Sequence, residues 1–444
     1  MELIIKQRKK VSQTVIYKLF RDISAAGIIL TSIVPEASNK AIVLPMILGW
    51  LFFSFLCDTR GFLKTFIKPD VKSYSVYLWL LTCFLFYVIG YMKGDNVEAY
   101  LFSYARFGFS LLIFNYYMII NDYKAVSRLT FFSLCCIIFT CITTLRGLYL
   151  HPNAARLLST GREELIEGLK GMMIGSYGFI YGLVFVSIAI LGSLKSGPSL
   201  RIMHQIIFAT LLGLFVFTIY KATFMTALLI FSIVVIFLLL NVKNIPNLIV
   251  VTTFLLTLFF ILTPTIYNIL ISLGNIIENK DLSLRFYEVA YFLKYKSAEN
   301  TVDLASRLDF NTISLKSFLS SPIIGIGGYY GYGTTALGIG GHSAFLDELA
   351  RYGIVGAGPL FIALIANAAF VYKRLEDQKQ KAVYYCSMLA FFVLGMVNTL
   401  LFVPIAVMVY FVVPGVIFTL SEYCPTLNAV KMKRRKLNAS PLVR

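Results

Sequence analysis

The sequence predicts an all-α polytopic membrane protein, and three observations carry that prediction. Hydrophobic residues make up 58% of the chain and charged residues only 14%, against roughly one-quarter charged residues in a soluble domain. Apolar runs near twenty residues long recur along the whole chain, the length an α-helix needs to cross about 30 Å of hydrocarbon. Basic residues collect in alternate connections, as the positive-inside rule requires of a multi-span protein.

Twelve spans are expected, at about 22–34, 41–57, 75–92, 100–120, 129–150, 171–193, 202–220, 222–240, 247–274, 350–372, 383–402 and 404–420. The start, MELIIKQRKK, is basic but is followed by no short apolar core and cleavage site, so no cleavable leader is expected. PEASNK ends the first span, and DTRGFLKTFIKPDVK separates the second from the third. KGDNVEA precedes the fourth, NDYKAVSR the fifth, and SLKSGPSLR the seventh. YKRLEDQKQK leads into the eleventh, and Val403 and Pro404 make a tight turn before the last. Alternate connections are basic, and the tail KMKRRK joins that set, which places both termini in the cytoplasm. The net charge of +18 is therefore topology, and no nucleic-acid partner is expected. The seven cysteines form no CxxC pair, which argues against a disulfide framework and a zinc site.

The chain reads as a single membrane domain, 1–444, with two longer outer loops. The smaller is HPNAARLLSTGREELIEGLK, 151–170. The larger, 275–349, holds two helix-like stretches, DLSLRFYEVAYFLKYK and VDLASRLDFNTISLKSFLSSP. In the second, Leu304, Leu308, Leu315 and Leu319 fall on one face, and Pro322 stops the helix. Such a piece is expected to lie on the membrane surface or to cap a cavity.

The glycine run GIGGYYGYGTTALGIGG follows, Gly325 to Gly341. It lacks the third glycine of GxGxxG, and no GxxxxGK[ST] occurs, so a nucleotide loop is not expected. Its glycines suit sharp turns at positive φ. His342 comes next, one of three histidines. Ser343 can cap a helix from Ala344, with Asp347 and Glu348 near its positive end. Gly353 and Gly356 are spaced to let a neighbouring helix approach closely. A histidine before a helix N-terminus is favoured as neutral imidazole, which can accept a proton; the same helix end attracts anions. Arg307 shares this outer loop, Arg156 and Arg162 lie in the other, and Lys221 sits between two spans at the same boundary. Together they can surround a diphosphate without a metal, and no carboxylate cluster suggests one.

His342-Ser343, nine residues, then Gly353-Ile-Val-Gly356 resembles the H[NSQ]-x9-GxxG signature of the bacterial O-antigen ligase and O-antigen polymerase family. Ser306-Arg307, followed by Ser321-Pro322-Ile-Ile-Gly325-Ile-Gly327, is similar to that family's "SR … P-x-x-G-x-G" block. The resemblance implies a GT-C type membrane fold on the cytoplasmic membrane. It implies glycan transfer from an undecaprenyl diphosphate carrier on the outer face, with no cofactor, beside the bilayer and, as partners, a chain-length regulator and a flippase. His342 and Arg307 carry over directly as catalytic residues. Where the family has a further SR pair this chain reads Tyr220-Lys221-Ala-Thr223, so Lys221 keeps the charge without the bidentate fork. Either Arg156 or Arg162 matches the family's other outer-loop arginine, and Ser343 and Glu348 are supporting residues. His342 would act as base, or as a diphosphate ligand, in an inverting, metal-independent transfer. Polymerisation of O-antigen or capsule repeat units is the leading expectation. Ligation to lipid A core, protein O-glycosylation, and a lipid-linked oligosaccharide flippase suggested by Arg106 inside the fourth span, are the alternatives.

Overall fold

The computed structural model describes residues 2–37, 39–67, 70–92, 98–160, 167–169, 171–196, 202–240, 245–277, 280–295, 302–327, 337–375 and 377–422. Among them the chain forms helices and no strands. In chain order these are α1 (Glu2–Ile33), α2 (Lys40–Cys57), α3 (Thr59–Phe66), α4 (Val71–Met92), α5 (Glu98–Ile119), α6 (Tyr123–Leu150) and α7 (Ala154–Thr160). After these come α8 (Tyr177–Ser196), α9 (Ile202–Lys221), α10 (Met225–Leu239), α11 (Ile245–Ile276), α12 (Lys280–Tyr295) and α13 (Val302–Ser320). The last are α14 (Ala344–Arg374), α15 (Gln378–Val397) and α16, which runs as Val403–Val407, a π-helical turn Met408–Val412, and Val413–Glu422.

The protein is an all-α membrane protein. Seven helices among the described residues, α2, α4, α6, α8, α9, α14 and α15, are long and apolar enough to cross a bilayer. The stretches Met225–Leu239, Ile261–Ile276 and Val403–Thr419 are apolar but shorter. Each of the twelve predicted segments overlaps a helix, with three differences at the ends. Residues 171–176 are not helical, because Gly171 and Met173 take positive φ and the segment hangs on α6. There Thr143 Oγ1 donates to Met173 O (2.8 Å) and Gly175 N donates to Thr144 Oγ1 (2.8 Å). Residues 398–402 are extended, so the link between α15 and α16 is wider than a Val403-Pro404 turn. Finally, α14 starts at Ala344, inside the predicted loop 275–349.

Burial orders the bundle. The apolar stretch of α8 is 78% buried and forms its centre, whereas those of α2 and α9 are 17% buried and face outward. The π-turn of α16 is wholly buried and packs against α5 and α8. Long-range bonds show which helix ends lie together. Arg374 Nη1 at the end of α14 donates to Met118 O near the end of α5 (2.6 Å). At the opposite end, Gly171 N donates to Glu36 Oε1 (2.7 Å) and Ala344 N donates to Asn398 O (3.0 Å). The connections predicted to share a side thus meet in space.

The Arg374 end carries a charge cluster. Arg21 Nη2 donates to Asp22 Oδ1 and to Asp122 Oδ2, both at 2.7 Å, and Arg128 Nη2 donates to Asp22 Oδ2 (2.6 Å). Asp122 also caps α6 by accepting from Ala125 N (3.2 Å). Burial lifts the Asp122 carboxyl, but the hydrogen bond and charge of Arg21 outweigh it and hold it below its ordinary value. A depressed carboxyl contributes stability that is full above the unfolded pKa, about 4, and is lost as pH falls through the folded one. The wild type is therefore expected to melt above Asp122→Asn at neutral pH, the gap closing on acidification below about pH 4. Thermal melts of detergent-solubilised protein across that range check this, and a gap independent of pH would contradict it.

Candidate functional site

The site lies at the end of the bundle that carries the start of α14. Ser343 is the N-cap of α14, φ −134° and ψ 117°, and its Oγ accepts from Leu346 N (3.2 Å). Asp347 returns the bond by accepting from Ser343 N (3.2 Å), a capping box with aspartate in the fourth place. The other Asp347 oxygen accepts from Ser314 Oγ of α13 (2.6 Å), and Ser314 Oγ in turn accepts from Gly340 N (2.8 Å). One serine thus ties α13, the end of the glycine run and the start of α14 together. Gly340 is glycine for a steric reason: a Cβ there would stand 2.1 Å from Phe310 O.

His342 is held by this frame. Its ring is half-buried and stacks on Phe310 of α13, with centroids 4.8 Å apart and planes 24° apart. Arg307 lies three residues before Phe310, one helical turn away on α13. The backbone at Arg307 is therefore beside the turn that supports the imidazole, while its side chain lies outside the described residues. The face of α13 that packs inward is not the leucine stripe. Ser314 and Ser317 are fully buried, whereas Leu315 and Leu319 are 43% and 65% exposed. The hydroxyls are drawn in because the loop offers them backbone partners, Gly338 as well as Gly340.

Gly353 does not serve as a smooth helix contact. It takes φ +61° and ψ −169° and breaks α14. The extended segment Pro322–Gly327 fills the break with four backbone hydrogen bonds. Ile326 N and Gly327 N donate to Ala350 O and Arg351 O, and Ile354 N and Val355 N donate to Pro322 O and Ile323 O (2.9–3.0 Å). The carbonyls and N–H groups orphaned by the break are thereby satisfied, as they must be away from water. Gly356 does allow close approach, since its Cβ would lie 2.6 Å from Thr82 Cγ2 of α4.

Glu348 is buried, and its partners are Tyr104 of α5 and Arg351 of its own helix. Tyr104 Oη donates to Glu348 Oε1 (2.8 Å), and Arg351 Nη1 donates to Glu348 Oε1 (2.7 Å) and Tyr104 Oη (2.6 Å). The short half-helix above the break thus carries acids in its first turns and a cation in its last, which suits its dipole. Its link to α5 braces the helix that starts at His342.

The other cations sit apart from this frame. Lys221 is the exposed last residue of α9, its Nζ 5.7 Å from the Phe217 ring. The next turn holds Thr223 at φ +59°, an outlier for a β-branched residue. Phe224 then packs edge-on against Tyr177 at the start of α8 (5.6 Å). Arg156 is half-buried on α7, which packs on α6 and α8, and Arg162 lies outside the described residues. Among the described residues, no group of three or more His, Cys, Asp and Glu is placed to hold a metal ion.

Sequence reasoning did not find Phe310, Ser314, Tyr104 or Arg351, nor the pairing of Pro322–Gly327 with the break. Only the glycines signalled the last of these. No protein-family model matches the chain, and no characterised protein matches it either.

Proposed function

We propose that this chain is a glycosyltransferase of the bacterial cytoplasmic membrane that polymerises O-antigen or capsule repeat units. On this reading all twelve apolar helices span, both termini are cytoplasmic, and the His342 end faces outward. The donor is a glycan on undecaprenyl diphosphate, and the acceptor is a sugar hydroxyl of a second lipid-linked unit. The observation that carries the reading is the stacked His342 ring, held one helical turn from the Arg307 position and directly before a capped helix N-terminus.

The chemistry asks for little more. His342 takes the proton from the acceptor hydroxyl as its oxygen bonds to the anomeric carbon. The bond from that carbon to the diphosphate oxygen breaks, with inversion, and the diphosphate leaves as an anion. Arg307, Lys221 and either Arg156 or Arg162 meet the departing charge. Ser343 and Glu348 act indirectly, by fixing where α14 begins.

The break in α14 favours one second reading, a transporter of the same lipid-linked glycans, since transporters use discontinuous helices at their binding sites. We rank it lower because the freed backbone groups at Gly353 are bonded to Pro322–Gly327 and not turned to a cavity. Deleting the gene in its host and sizing the glycan separates the readings. Polymerisation predicts products one repeat unit long. Long chains retained on the carrier would indicate ligation, and purified protein that fails to consume lipid-linked units in detergent would indicate transport.

A further inference from the structure

Arg106 lies one turn inside α5, is only 7% exposed, and lines a cavity of about 230 Å³ at the His342 end of the bundle. Its Nη2 donates to Thr31 O (2.9 Å) and Ser32 Oγ (3.5 Å). Those two acceptors are neutral, so they orient the guanidinium without cancelling its charge. Ser103 and Ser176 add hydroxyls to the lining, and no carboxylate is among the described residues that form it. Phe102 sits between two cations, with Arg106 Cζ and Lys40 Nζ each 5.7 Å from its ring. The start of α8 borders the same space through Ser176 and Phe179, adding the positive end of a twenty-residue helix. A buried cation that lines an open cavity at the edge of a membrane bundle marks a place for an anionic group.

Its position relative to His342 narrows the choice of anion. Asn398 O accepts from Ala344 N at the start of α14, and Leu401, three residues on, lines the Arg106 cavity. Three residues of extended chain span at most ~11 Å. A donor diphosphate is bonded directly to the reacting carbon and must lie beside the base. An acceptor's diphosphate is separated from its reacting hydroxyl by the length of a repeat unit. We propose that the Arg106 cavity holds this second diphosphate, the one on the acceptor's lipid carrier. The proposal rests on the polymerase reading, which requires two carriers at one face at the same time.

The test counts carriers. Full-length protein in detergent is incubated with undecaprenyl diphosphate and the bound molecules are counted by native mass spectrometry. The wild type is expected to hold two, and Arg106→Gln one. Ser103→Phe, which fills the cavity from an accessible position on the same helix, is also expected to hold one, and it serves if Arg106→Gln fails to fold. Excess phosphatidylglycerol should leave both carriers bound. Two carriers in both variants, or one in the wild type and in the variants alike, would overturn the second station and leave the glycosyl-transfer reading standing. A wild type that binds none would overturn both. Displacement of one carrier by phosphatidylglycerol would make the cavity a general lipid-headgroup site and overturn the assignment to the acceptor.

Discussion

His342→Ala is expected to slow repeat-unit joining by purified protein ~10²–10⁴-fold, the usual worth of a general base, with no change in its abundance in the membrane. The fold should survive because the neighbouring bonds do not use the imidazole. Ser343 caps α14 through its own hydroxyl, and Asp347, Ser314 and Gly340 hold the loop without the ring. What is lost is a half-buried ring stacked on Phe310. His342→Gln keeps a polar side chain that can donate to a phosphate but cannot serve as a base, so it separates the two roles. As base, His342 must be unprotonated, and the wild-type rate should fall on acidification while Gln is as inactive as Ala. As a diphosphate ligand it would favour the protonated form, and Gln would retain much of the rate. Normal turnover in both variants would remove His342 from the reaction.

Much of the fold is legible in the sequence because the strongest signals are local. A run of apolar residues near twenty long, closed by charge, makes a helix whatever lies around it. The cap at Ser343 is equally local, since donor and acceptor lie three residues apart. The break at Gly353 is not. Its backbone angles only make sense with Pro322–Gly327 alongside, some thirty positions earlier in the chain, and nothing in a glycine distinguishes a close helix contact from a positive φ. Tyr104 and Glu348 meet across 244 residues, and no periodicity announces such a pair. The leucine spacing on α13 correctly signals a helix with an apolar face, yet the inward face is the serine side, because the loop's N–H and C=O groups need partners more than the leucines need burial. For the site, sequence order places Arg307 and His342 on one side of the membrane, and the Phe310 stack puts their two elements in contact. Lys221 and Arg156 carry no comparable long-range constraint in the sequence, so their distance from His342 is set by tertiary packing alone.

The largest effect on folding is expected at the break itself. Gly353→Ala should sharply reduce the yield of monodisperse protein and lower its melting temperature, for two separable reasons. At φ +61° and ψ −169° the backbone occupies a region essentially restricted to glycine, and a side chain there costs ~1–3 kcal/mol in strain. The added Cβ would also stand 2.3 Å from Ile323 O and 2.6 Å from Gly325 N, backbone atoms that cannot swing aside. Gly325 cannot absorb the shift, because its own φ is +70° and its own Cβ position is 2.4 Å from Arg351 O. The chain's escape is to straighten α14 through residue 353, but that withdraws acceptors and donors from Pro322–Gly327 and leaves its backbone groups unpaired at ~1–3 kcal/mol each if they stay buried. Set against the ~5–15 kcal/mol by which domains are typically stable, either route is severe. Gly358→Ala in the same helix is the matched comparison, since a Cβ there meets nothing within 4 Å. Alanine also favours the helix over glycine by roughly 1 kcal/mol, so that variant should be at least as stable as the wild type. Equal melting temperatures for the two variants would mean that the left-handed break is not part of the folded protein.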